Sequence, residues 1–415
     1  MTEVSLADRF ESELGVRQVM DKVAQIQLEL YQKAFNDRTK RFKKLKKYLV
    51  MDEFLYAAWE NVCKGTRSAG VDSISVADIK KTGVDEFLRS LQEDIKKNRY
   101  EPDRILKHEI LKPNGKVRKL GILTVKDRVV QYGMKLVLEP IFEADFDSSS
   151  FGFRAYRSAQ LASLEVYKWL EAGNHYVFKS DISQCFDNIP HELLMERIKT
   201  RIRDRQVRRI ISAWLNVNSA CLLNEEATYG KDKGILQGGI ISPLLLNIYL
   251  DQFDDAWENI GLRSIRSNGQ GHLVRYADDF VILSKQPIDT KPVEGSLKKI
   301  GLELNPEKTY QTHIEDGFEF LGFYFKGAFV EDRYKGTIGI YPTEGSIERV
   351  LDSIRTMTDP VNGNTKPPVE TIQEINRSID TWLNYYHHTN CNSGLQRMND
   401  SYSDYLHKYI TNYQN

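Results

Sequence analysis

The sequence predicts an α+β fold in which antiparallel strands alternate with helices and a helical segment follows them. Residues 104–122 read as two strands joined by a Pro-Asn-Gly turn. Residues 272–285 carry apolar residues on both sides of an acidic pair, which indicates a second hairpin, and residues 175–183 read as a strand. After Tyr341 the apolar spacing is helical only, so we expect a domain boundary at about residues 330–342.

The other elements follow from apolar spacing along the chain. Residues 1–48 have apolar residues at roughly helical spacing and end in a basic run, which predicts a helical N-terminal extension over residues 1–50. The further predicted helices cover residues 51–62, 125–142, 157–171, 190–215, 293–302, 344–357, 368–388 and 393–412. A last strand is predicted at residues 317–325, and a loop rich in Pro, Gly and Asn at residues 359–368.

The composition excludes several classes of protein. The 415 residues, 41% of them hydrophobic, are sufficient for a core of two or three domains. The polar N-terminus lacks the apolar segment of a secretory signal, and no apolar run reaches the roughly 18–20 residues of a membrane span. Cys63, Cys185, Cys221 and Cys391 form no CxxC motif, so we expect reduced thiols in a cytoplasmic protein.

The charges balance overall but are unevenly distributed. Lys and Arg together number 58, as do Asp and Glu, so the net charge is zero. Basic residues nevertheless concentrate in residues 38–47, 104–119 and 197–209. Each basic segment could follow a phosphate backbone, and a solvated helix or hairpin face is the alternative for each.

An acidic constellation carries the strongest chemical signal in the sequence. Asp278 and Asp279 are adjacent and lie between apolar strand residues, and Asp181 ends another apolar strand. Neighbouring carboxylates repel each other and are costly to bury without a cation, and Mg²⁺ prefers carboxylate oxygen. A solvated turn is the alternative for the Asp278–Asp279 pair. If the two strands pair, the three carboxylates would be enough to hold two Mg²⁺ ions roughly 4 Å apart.

Ten segments resemble, in the same order, the motifs of group II intron-type reverse transcriptases. They include AWENVCKGTRSAGVDSI (58–74), SFGFRAYRSA (150–159), SDISQCFDNIPHELL (180–194), LQGGIISPLLLNIYLD (236–251), RYADD (275–279) and INRSIDTWLNYYHH (375–388). The resemblance implies a right-hand polymerase, with fingers and an antiparallel palm sheet with packed helices in residues 51–330 and an all-α thumb in residues 340–415. The implied activity is RNA-directed DNA synthesis by two-metal nucleotidyl transfer.

The resemblance also implies roles for the acidic residues. Asp181, Asp278 and Asp279 match the metal-binding triad, and the main-chain carbonyl of Ile182 matches a further metal ligand. Lys308 matches a lysine thought to protonate the leaving pyrophosphate, and a surface lysine near a turn is the alternative. The implied cofactors are two Mg²⁺ ions, for which Mn²⁺ is a substitute.

Four other residues match positions that hold the incoming nucleotide. Lys112 and Arg118 match hairpin cations that grip the triphosphate, with exposed hairpin charge as the alternative. Phe186 matches the ring under the sugar, which excludes a 2′-hydroxyl and so favours deoxynucleotides, and a core Phe is its alternative. Gln237 matches the residue beside the nucleotide sugar.

Template and primer contacts are implied at three further positions. Arg154 and Arg157 match residues near template phosphates. Gly322, within the segment FLGF, resembles the primer grip under the primer 3′ end. The C-terminal helices resemble the thumb that lies along the minor groove of the product duplex.

Three departures from the intron-encoded enzymes concern the biological role. The net charge is zero, no HNH-like cysteine pairs are present, and the chain stops at Asn415, just after the thumb segment. Because gripping a large ribozyme requires extensive phosphate neutralisation, these departures disfavour a maturase. We therefore hypothesise a free-standing enzyme that copies a dedicated small RNA, in antiphage defence. A group II intron maturase and an RNA-binding scaffold with incidental polymerase activity are the alternatives.

The expected partners follow from that hypothesis. They are an RNA template, specifically a cognate structured non-coding RNA, together with a DNA or RNA primer and dNTPs. No membrane is expected. The sequence leaves open how synthesis is primed and whether the chain forms a homo-oligomer.

Overall fold

The structure is a computed structural model that describes residues 13–65, 68–111, 115, 117–222, 232–259, 271–328, 337–358 and 367–414. The chain divides into two compact units, each built from three separate stretches. The first unit comprises Met1–Arg154, Ile182–Ala256 and Lys291–Asn305. The second unit comprises Ala155–Asp181, Trp257–Thr290 and Pro306–Asn415.

The described residues form α-helices and antiparallel strands. In chain order the helices are α1 (Glu13–Asn36), α2 (Lys46–Leu49), α3 (Asp52–Lys64), α4 (Val76–Thr82), α5 (Val84–Lys96), α6 (Val125–Glu143), α7 (Ala159–Glu171), α8 (Cys185–Asn188), α9 (His191–Arg201), α10 (Arg205–Leu222), α11 (Ser242–Asn259), α12 (Lys291–Lys299), α13 (Glu344–Thr358), α14 (Pro368–Tyr386) and α15 (Asn392–Gln414). The strands are β1 (Leu106–Leu111), β2 (Val117–Ile122), β3 (Tyr176–Asp181), β4 (His272–Tyr276), β5 (Asp279–Ser284), β6 (Tyr310–His313), β7 (Phe318–Phe320), β8 (Phe323–Ala328) and β9 (Thr337–Pro342).

Helix α6 is the centre of the first unit. It begins after Thr124, whose side chain accepts a hydrogen bond from the main-chain N–H of Asp127 as an N-cap. Most of its side chains are buried, because α1 and α3 pack against it. Gln27 of α1 also donates a hydrogen bond to the carbonyl of Leu136 (2.9 Å). Helix α1 therefore belongs to the first unit, and the predicted domain bounds at residues 50 and 330–342 stay predictions.

Two antiparallel sheets organise the second unit. The first sheet has the strand order β4–β5–β3–β6, so β5 and β3 are its central strands. Strand β5 is buried from Phe280 to Ser284 because it has a neighbouring strand on each side and α7 packs on the sheet. The second sheet has the order β7–β8–β9. Helices α14 and α15 pack against α13 in the same unit.

The structure confirms the predicted α+β class with antiparallel sheets, and it corrects two elements. Residues 317–325, predicted as one strand, form β7 and β8 with a turn between them, because Leu321 and Gly322 have φ of 53° and 83°. Residues 190–215, predicted as one helix, form α9 and α10. The break occurs where Ile202 leaves the helix to form a β-bridge with Phe42.

Three further predictions concern cysteines and the membrane. Cys63, Cys185 and Cys391 form no disulfide within the described part of the chain, and the side chain of Cys221 lies outside that part. Within the described residues no helix has the length and apolar character that crossing a membrane requires. The cytoplasmic location stays a prediction.

Candidate active site

Three aspartates gather at one end of the β4–β5–β3–β6 sheet. Because β3 and β5 are antiparallel, the last residue of β3 lies opposite the first residue of β5, and these residues are Asp181 and Asp279. Directly opposed residues have Cβ atoms about 5 Å apart. Asp278 lies on the two-residue turn between β4 and β5, next to Asp279. The register of the sheet thus brings the predicted triad together.

Asp279 is the most perturbed of these carboxyl groups. Burial first, and then the nearby charges of Asp181 and Asp278, raise the pKa of Asp279 to about 6, although Lys179 and Lys308 oppose the shift. Its Oδ1 atom is buried and has no hydrogen-bond partner among the described residues. A buried carboxylate oxygen without a partner is costly, so this atom is suited to a bound cation.

Lys308 supplies a positive charge to the acidic cluster. Its ammonium group donates a hydrogen bond to Asp181 Oδ2 at 2.7 Å, and 60% of the lysine side chain is exposed against 14% of the aspartate side chain. Burial acts to lower the pKa of Lys308, but the hydrogen bond to Asp181 and the charges of the three aspartates outweigh it and raise that pKa. The ammonium group therefore stays protonated at neutral pH.

The turn that carries Asp278 is strained and supported from within the sheet. Ala277 has φ of 58°, a left-handed conformation that is uncommon for a residue with a Cβ. Arg275 is fully buried, and its guanidinium donates a hydrogen bond to the carbonyl of Ala277 (3.0 Å). We expected no role for Arg275 from the sequence. A charged residue inside an apolar strand could have indicated that it is buried and hydrogen-bonded.

The donor set fits a divalent cation, although the side chains do not form a complete cage by themselves. Asp181 and Asp279 are opposed, Asp278 adjoins them, and one buried oxygen of Asp279 has no partner among the described residues. In the described part of the chain, no group of three or more His, Cys, Asp or Glu side chains is arranged as a preformed metal site. A cation at this cluster would therefore need ligands beyond the three carboxylates, such as water or substrate phosphate.

Phe186 and Gln237 lie in the first unit, in two segments that contact each other. Phe186 is half-buried on α8, and its carbonyl accepts a hydrogen bond from the main-chain N–H of Ile235 (2.7 Å). Gln237 Nε2 donates to Asp187 Oδ2 (3.4 Å). Ile182, also in this unit, is buried and bridges Leu304. The sequence did not indicate the pairing of Gln237 with Asp187.

The segment after Gln237 approaches the end of the β1–β2 hairpin closely. The main-chain N–H of Gly121 donates to the carbonyl of Gln237 (2.9 Å). Gly238 has φ of 102°, and a Cβ there would lie 2.9 Å from the carbonyl oxygen of Gly121. Only glycine therefore fits at position 238 without displacing the hairpin.

The side chains of the two cations that we predict to bind the triphosphate lie outside the described part of the structure. Lys112 lies outside the described residues. Arg118 is on β2, paired with Ile110 of β1, but its side chain is outside the described part. The structure confirms the antiparallel hairpin, and the roles of both residues stay predictions.

The two predicted template contacts differ in their surroundings. Only 4% of the Arg154 side chain is exposed, and its guanidinium pairs with Glu143 (2.7 Å) and donates to the carbonyls of Asp147 and Ser150. Because these partners use the guanidinium inside the fold, we assign Arg154 a structural role in place of the predicted phosphate contact. Arg157 is half-buried, and its role stays a prediction.

Gly322 lies in the turn between β7 and β8, where two tyrosines of α14 hold the backbone. The hydroxyl of Tyr385 donates to the carbonyl of Leu321 (3.1 Å), and that of Tyr386 donates to the carbonyl of Gly322 (3.0 Å). A surface cleft of about 730 Å³ adjoins this turn and is lined by residues of α13 and α14. A turn fixed in this way is a firm support for a nucleic-acid end, and the primer contact itself stays a prediction.

Comparison with known proteins identifies a family model and several relatives. The family model described as reverse transcriptase (RNA-dependent DNA polymerase) matches residues 110–325, more than half of the chain. Protein YkfC of Escherichia coli (strain K12) is 32% identical over 342 residues, which cover 72% of this chain and 87% of YkfC.

Two further relatives are named for introns. The group II intron-encoded protein LtrA of Lactococcus lactis subsp. cremoris is 28% identical over 345 residues, covering 68% of this chain. The putative COX1/OXI3 intron 2 protein of Saccharomyces cerevisiae is 25% identical over 316 residues. The chain spans 56% of LtrA and 36% of the yeast protein, so both relatives are considerably longer than the matched region.

Proposed function

Since this chain belongs to the reverse transcriptase (RNA-dependent DNA polymerase) family, we propose that it copies RNA into DNA at the cluster of Asp181, Asp278 and Asp279. The observation that carries the proposal is the strand register that sets Asp181 opposite Asp279, with Asp278 on the adjoining turn. The similarity to group II intron-encoded proteins supports the same reaction class.

The three carboxylates and the carbonyl of Ile182 are the proposed ligands of two divalent cations. Mg²⁺ is the proposed ion, because carboxylate and phosphate oxygens suit it, and Mn²⁺ takes the same ligands. When bound, such cations lower the pKa of a primer 3′-hydroxyl and stabilise negative charge on the leaving pyrophosphate. The unpartnered Oδ1 of Asp279 supports this assignment from the protein side.

Lys308 has two successive tasks in this mechanism. Its ammonium offsets the charge of Asp181, to which it is hydrogen-bonded at 2.7 Å. A cation held by Asp181 would compete for the same carboxylate, so Lys308 would then give up this hydrogen bond. Its protonated Nζ can then donate a proton to an oxygen of the leaving pyrophosphate, which makes Lys308 the proposed general acid.

The first unit supplies the proposed nucleotide contacts. Phe186 lies beneath the sugar and excludes a 2′-hydroxyl, and Gln237, held by Asp187, contacts the sugar. Lys112 and Arg118 of the hairpin neutralise the triphosphate, for which the bidentate guanidinium of Arg118 is well suited. Glycine at position 238 keeps the backbone of this segment close to the hairpin.

The right-hand arrangement is part of the proposal. The hairpin β1–β2 and its helices are the fingers, and the sheet β4–β5–β3–β6 with its packed helices is the palm. Helices α13, α14 and α15 are the thumb, and the turn at Gly322 is the primer grip. Arg157 is the remaining proposed template contact.

The proposed biological template is a dedicated small non-coding RNA, and antiphage defence is the proposed setting. The neutral net charge supports this choice over a maturase, because binding a large ribozyme requires many cations. The second candidate is an intron-encoded enzyme that supports splicing and mobility. Two of the similar proteins, LtrA and the yeast relative, are named for introns, which favours that candidate.

One experiment tests the activity and identifies the template. The protein is purified from its native host, and the bound RNA and any DNA are sequenced beside an Asp278→Asn/Asp279→Asn variant. We expect one discrete RNA with complementary DNA that is absent from the variant. Intron RNA would instead select the second candidate, and a mixed RNA pool without DNA would contradict the proposed function.

A substitution at Phe186 tests the proposed sugar selection. Because removing the ring opens space for a 2′-hydroxyl, Phe186→Val should increase incorporation of ribonucleotides relative to deoxynucleotides by about tenfold. Primer extension with each nucleotide type measures the ratio, and Phe142→Val, a change in a buried ring of α6, is the matched control. Unchanged sugar discrimination would return Phe186 to a core role.

A further inference from the structure

Two basic segments that are distant in sequence meet in the first unit. Residues 38–47 and 197–209 are joined by a parallel β-bridge between Phe42 and Ile202. Phe42 donates its main-chain N–H to Arg201 (2.6 Å), and Arg203 donates its main-chain N–H to Phe42 (2.7 Å). The backbone therefore fixes the two segments beside each other.

The meeting point is a surface cleft of about 710 Å³ that we call the basic cleft. Its cationic side chains are Lys43, Lys44, Lys46, Lys47, Arg203 and Arg205. The carboxylate of Asp204 also lines it, but both oxygens accept main-chain N–H groups, from Lys46 on one side and from Gln206 and Val207 on the other. Asp204 thus organises the two segments and offsets only part of the positive charge.

Four of the six cations have no protein partner among the described residues. Lys46 donates to the carbonyl of Lys96 (3.0 Å), and Lys47 lies 4.5 Å from the centre of the Tyr48 ring. The other four cations are Lys43, Lys44, Arg203 and Arg205, and all four are exposed. Their side chains make no hydrogen bond or ion pair with the described part of the chain. Exposed like charges collected in this way repel each other unless anions neutralise them.

We propose that the basic cleft binds the phosphate backbone of RNA. The inference rests on the proposed function, because that function makes RNA the polyanion that this protein must hold. None of the cleft residues is among those proposed to bind metal, nucleotide or primer, so the cleft is an additional RNA contact.

The chemistry of the cleft favours a polymer over a small anion. A small phosphate requires buried, convergent donors, whereas the four unpartnered cations are exposed on two facing segments. Exposed cations bind a polyanion well, because each phosphate contact releases condensed counterions into solution. The site should therefore recognise the RNA backbone without regard to base sequence.

The test measures RNA affinity and its dependence on salt. The full-length variant carries Lys43→Gln, Lys44→Gln, Arg203→Gln and Arg205→Gln together, and the probe is a short fluorescein-labelled RNA hairpin without a primer. Fluorescence anisotropy between about 50 and 200 mM KCl gives the affinity and the salt slope. We expect RNA affinity to fall by about tenfold or more and the slope of log K against log salt to decrease by roughly 3.

Two control variants separate the cleft from general effects of charge and folding. The variant with Lys33→Gln, Lys80→Gln, Lys81→Gln and Lys97→Gln removes the same number of exposed charges from other parts of the same unit, and it should retain wild-type affinity. A charge-conserving variant, Lys43→Arg with Arg203→Lys, should also retain affinity. Thermal melting of each variant verifies that the chain is folded.

Three results would overturn the proposal. They are an unchanged affinity and salt slope in the cleft variant, an equal loss in the matched control, and a loss of DNA binding with RNA binding intact. Because this assay requires no synthesis, it can succeed where primer extension fails. If the cleft binds RNA as expected but the wild-type protein synthesises no DNA, the result would count against the proposed function and not against the cleft.

Discussion

The acidic cluster and the basic cleft are two collections of like charge, and they are built in opposite ways. In the cluster, the register of β3 and β5 forces Asp181 and Asp279 together at a half-buried position. In the cleft, four unpartnered cations are exposed on two separate segments. Repulsion is strong in the first region because burial reduces screening, and weak in the second because water and salt screen it.

This difference indicates which ligand each region can take. A few carboxylates held close together require a small, highly charged ion at a fixed point. Cations spread over a surface require an extended anion whose charges are also spread. Individual residues should therefore matter greatly in the cluster, whereas residues of the cleft should act mainly as a group.

The largest expected effect separates catalysis from RNA binding. Asp278→Asn with Asp279→Asn should reduce DNA synthesis by about a thousandfold or more, because the change removes two metal-binding charges from the site. Primer extension on an RNA template measures the rate, and anisotropy measures the RNA affinity. RNA affinity should stay at the wild-type value. If the rate of DNA synthesis and the RNA affinity fell together, the proposed separation of catalysis and RNA binding between the two regions would be wrong.

The next largest effects are expected at Lys308 of the acidic cluster and at Lys43 of the basic cleft. Lys308→Ala should slow synthesis by about a hundredfold, since it removes both the partner of Asp181 and the proposed proton donor. Lys43→Ala should weaken RNA binding by less than about fivefold, because single exposed charges contribute little. Single-turnover rates and anisotropy give the two numbers.

The variant Lys308→Arg sharpens the interpretation of that result. Arginine keeps the charge beside Asp181 but gives up a proton far less readily than lysine. A rate that stays low in Lys308→Arg supports proton donation, and a fully recovered rate would assign Lys308 to charge compensation alone.

A third, smaller effect concerns stability and pH in metal-free protein. The pKa of Asp279 is raised to about 6 from 3.8, so the folded state holds this proton more tightly than the unfolded state. Protonated Asp279 therefore contributes to the stability of the fold. This contribution is complete below pH 3.8 and is lost as the pH rises through 6. Asp279→Asn should consequently raise the free energy of unfolding at pH 7 by about 1–3 kcal/mol.

Denaturant unfolding in EDTA at pH 4 and pH 7 measures this change. The gap in free energy of unfolding between variant and wild type should be small at pH 4 and should widen towards pH 7. Asp85→Asn, a change on helix α5 outside the cluster, is the matched control for the loss of one carboxylate. A gap independent of pH would mean that the carboxyl of Asp279 is not the titrating group.

An effect of similar size is expected from the ion itself, which should stabilise the folded protein. Mg²⁺ should raise the melting temperature of the wild type by a few degrees, since a ligand bound only by the folded state stabilises it by about 1–3 kcal/mol at saturation. The Asp278→Asn/Asp279→Asn variant should show no rise, and K⁺ at equal ionic strength is the control. An equal rise in both proteins would place the bound ion elsewhere.

Local pattern predicted much of the fold and the identity of the acidic residues. The hairpins, β3 and the three C-terminal helices follow from apolar spacing, which depends only on neighbouring residues. Asp181 and Asp278 stood out because carboxylates interrupt apolar strands. The opposition of Asp181 and Asp279 depended on which strands pair, and the family resemblance was needed to expect it.

Contacts between distant residues were the part that local pattern missed. Arg154 was expected to contact template phosphates, and only the fold shows that Glu143 and two carbonyls surround its guanidinium. The bridge between Phe42 and Ile202 joins segments about 160 residues apart, so the two basic segments were visible in the sequence but their common cleft was not. The turn at Leu321 was missed because a left-handed residue other than glycine leaves little signal.

The division of the first unit into three stretches has a consequence for synthesis on the ribosome. The unit needs residues from Met1–Arg154, Ile182–Ala256 and Lys291–Asn305, so its last piece emerges long after its first. At about 5–20 residues per second, helix α1 waits roughly 15–60 s for that final stretch. During this interval α1 already has α3 and α6 to pack against, because both helices belong to the same first stretch. The first stretch can therefore begin to pack around α6 while Ile182–Ala256 and Lys291–Asn305 are still being synthesised.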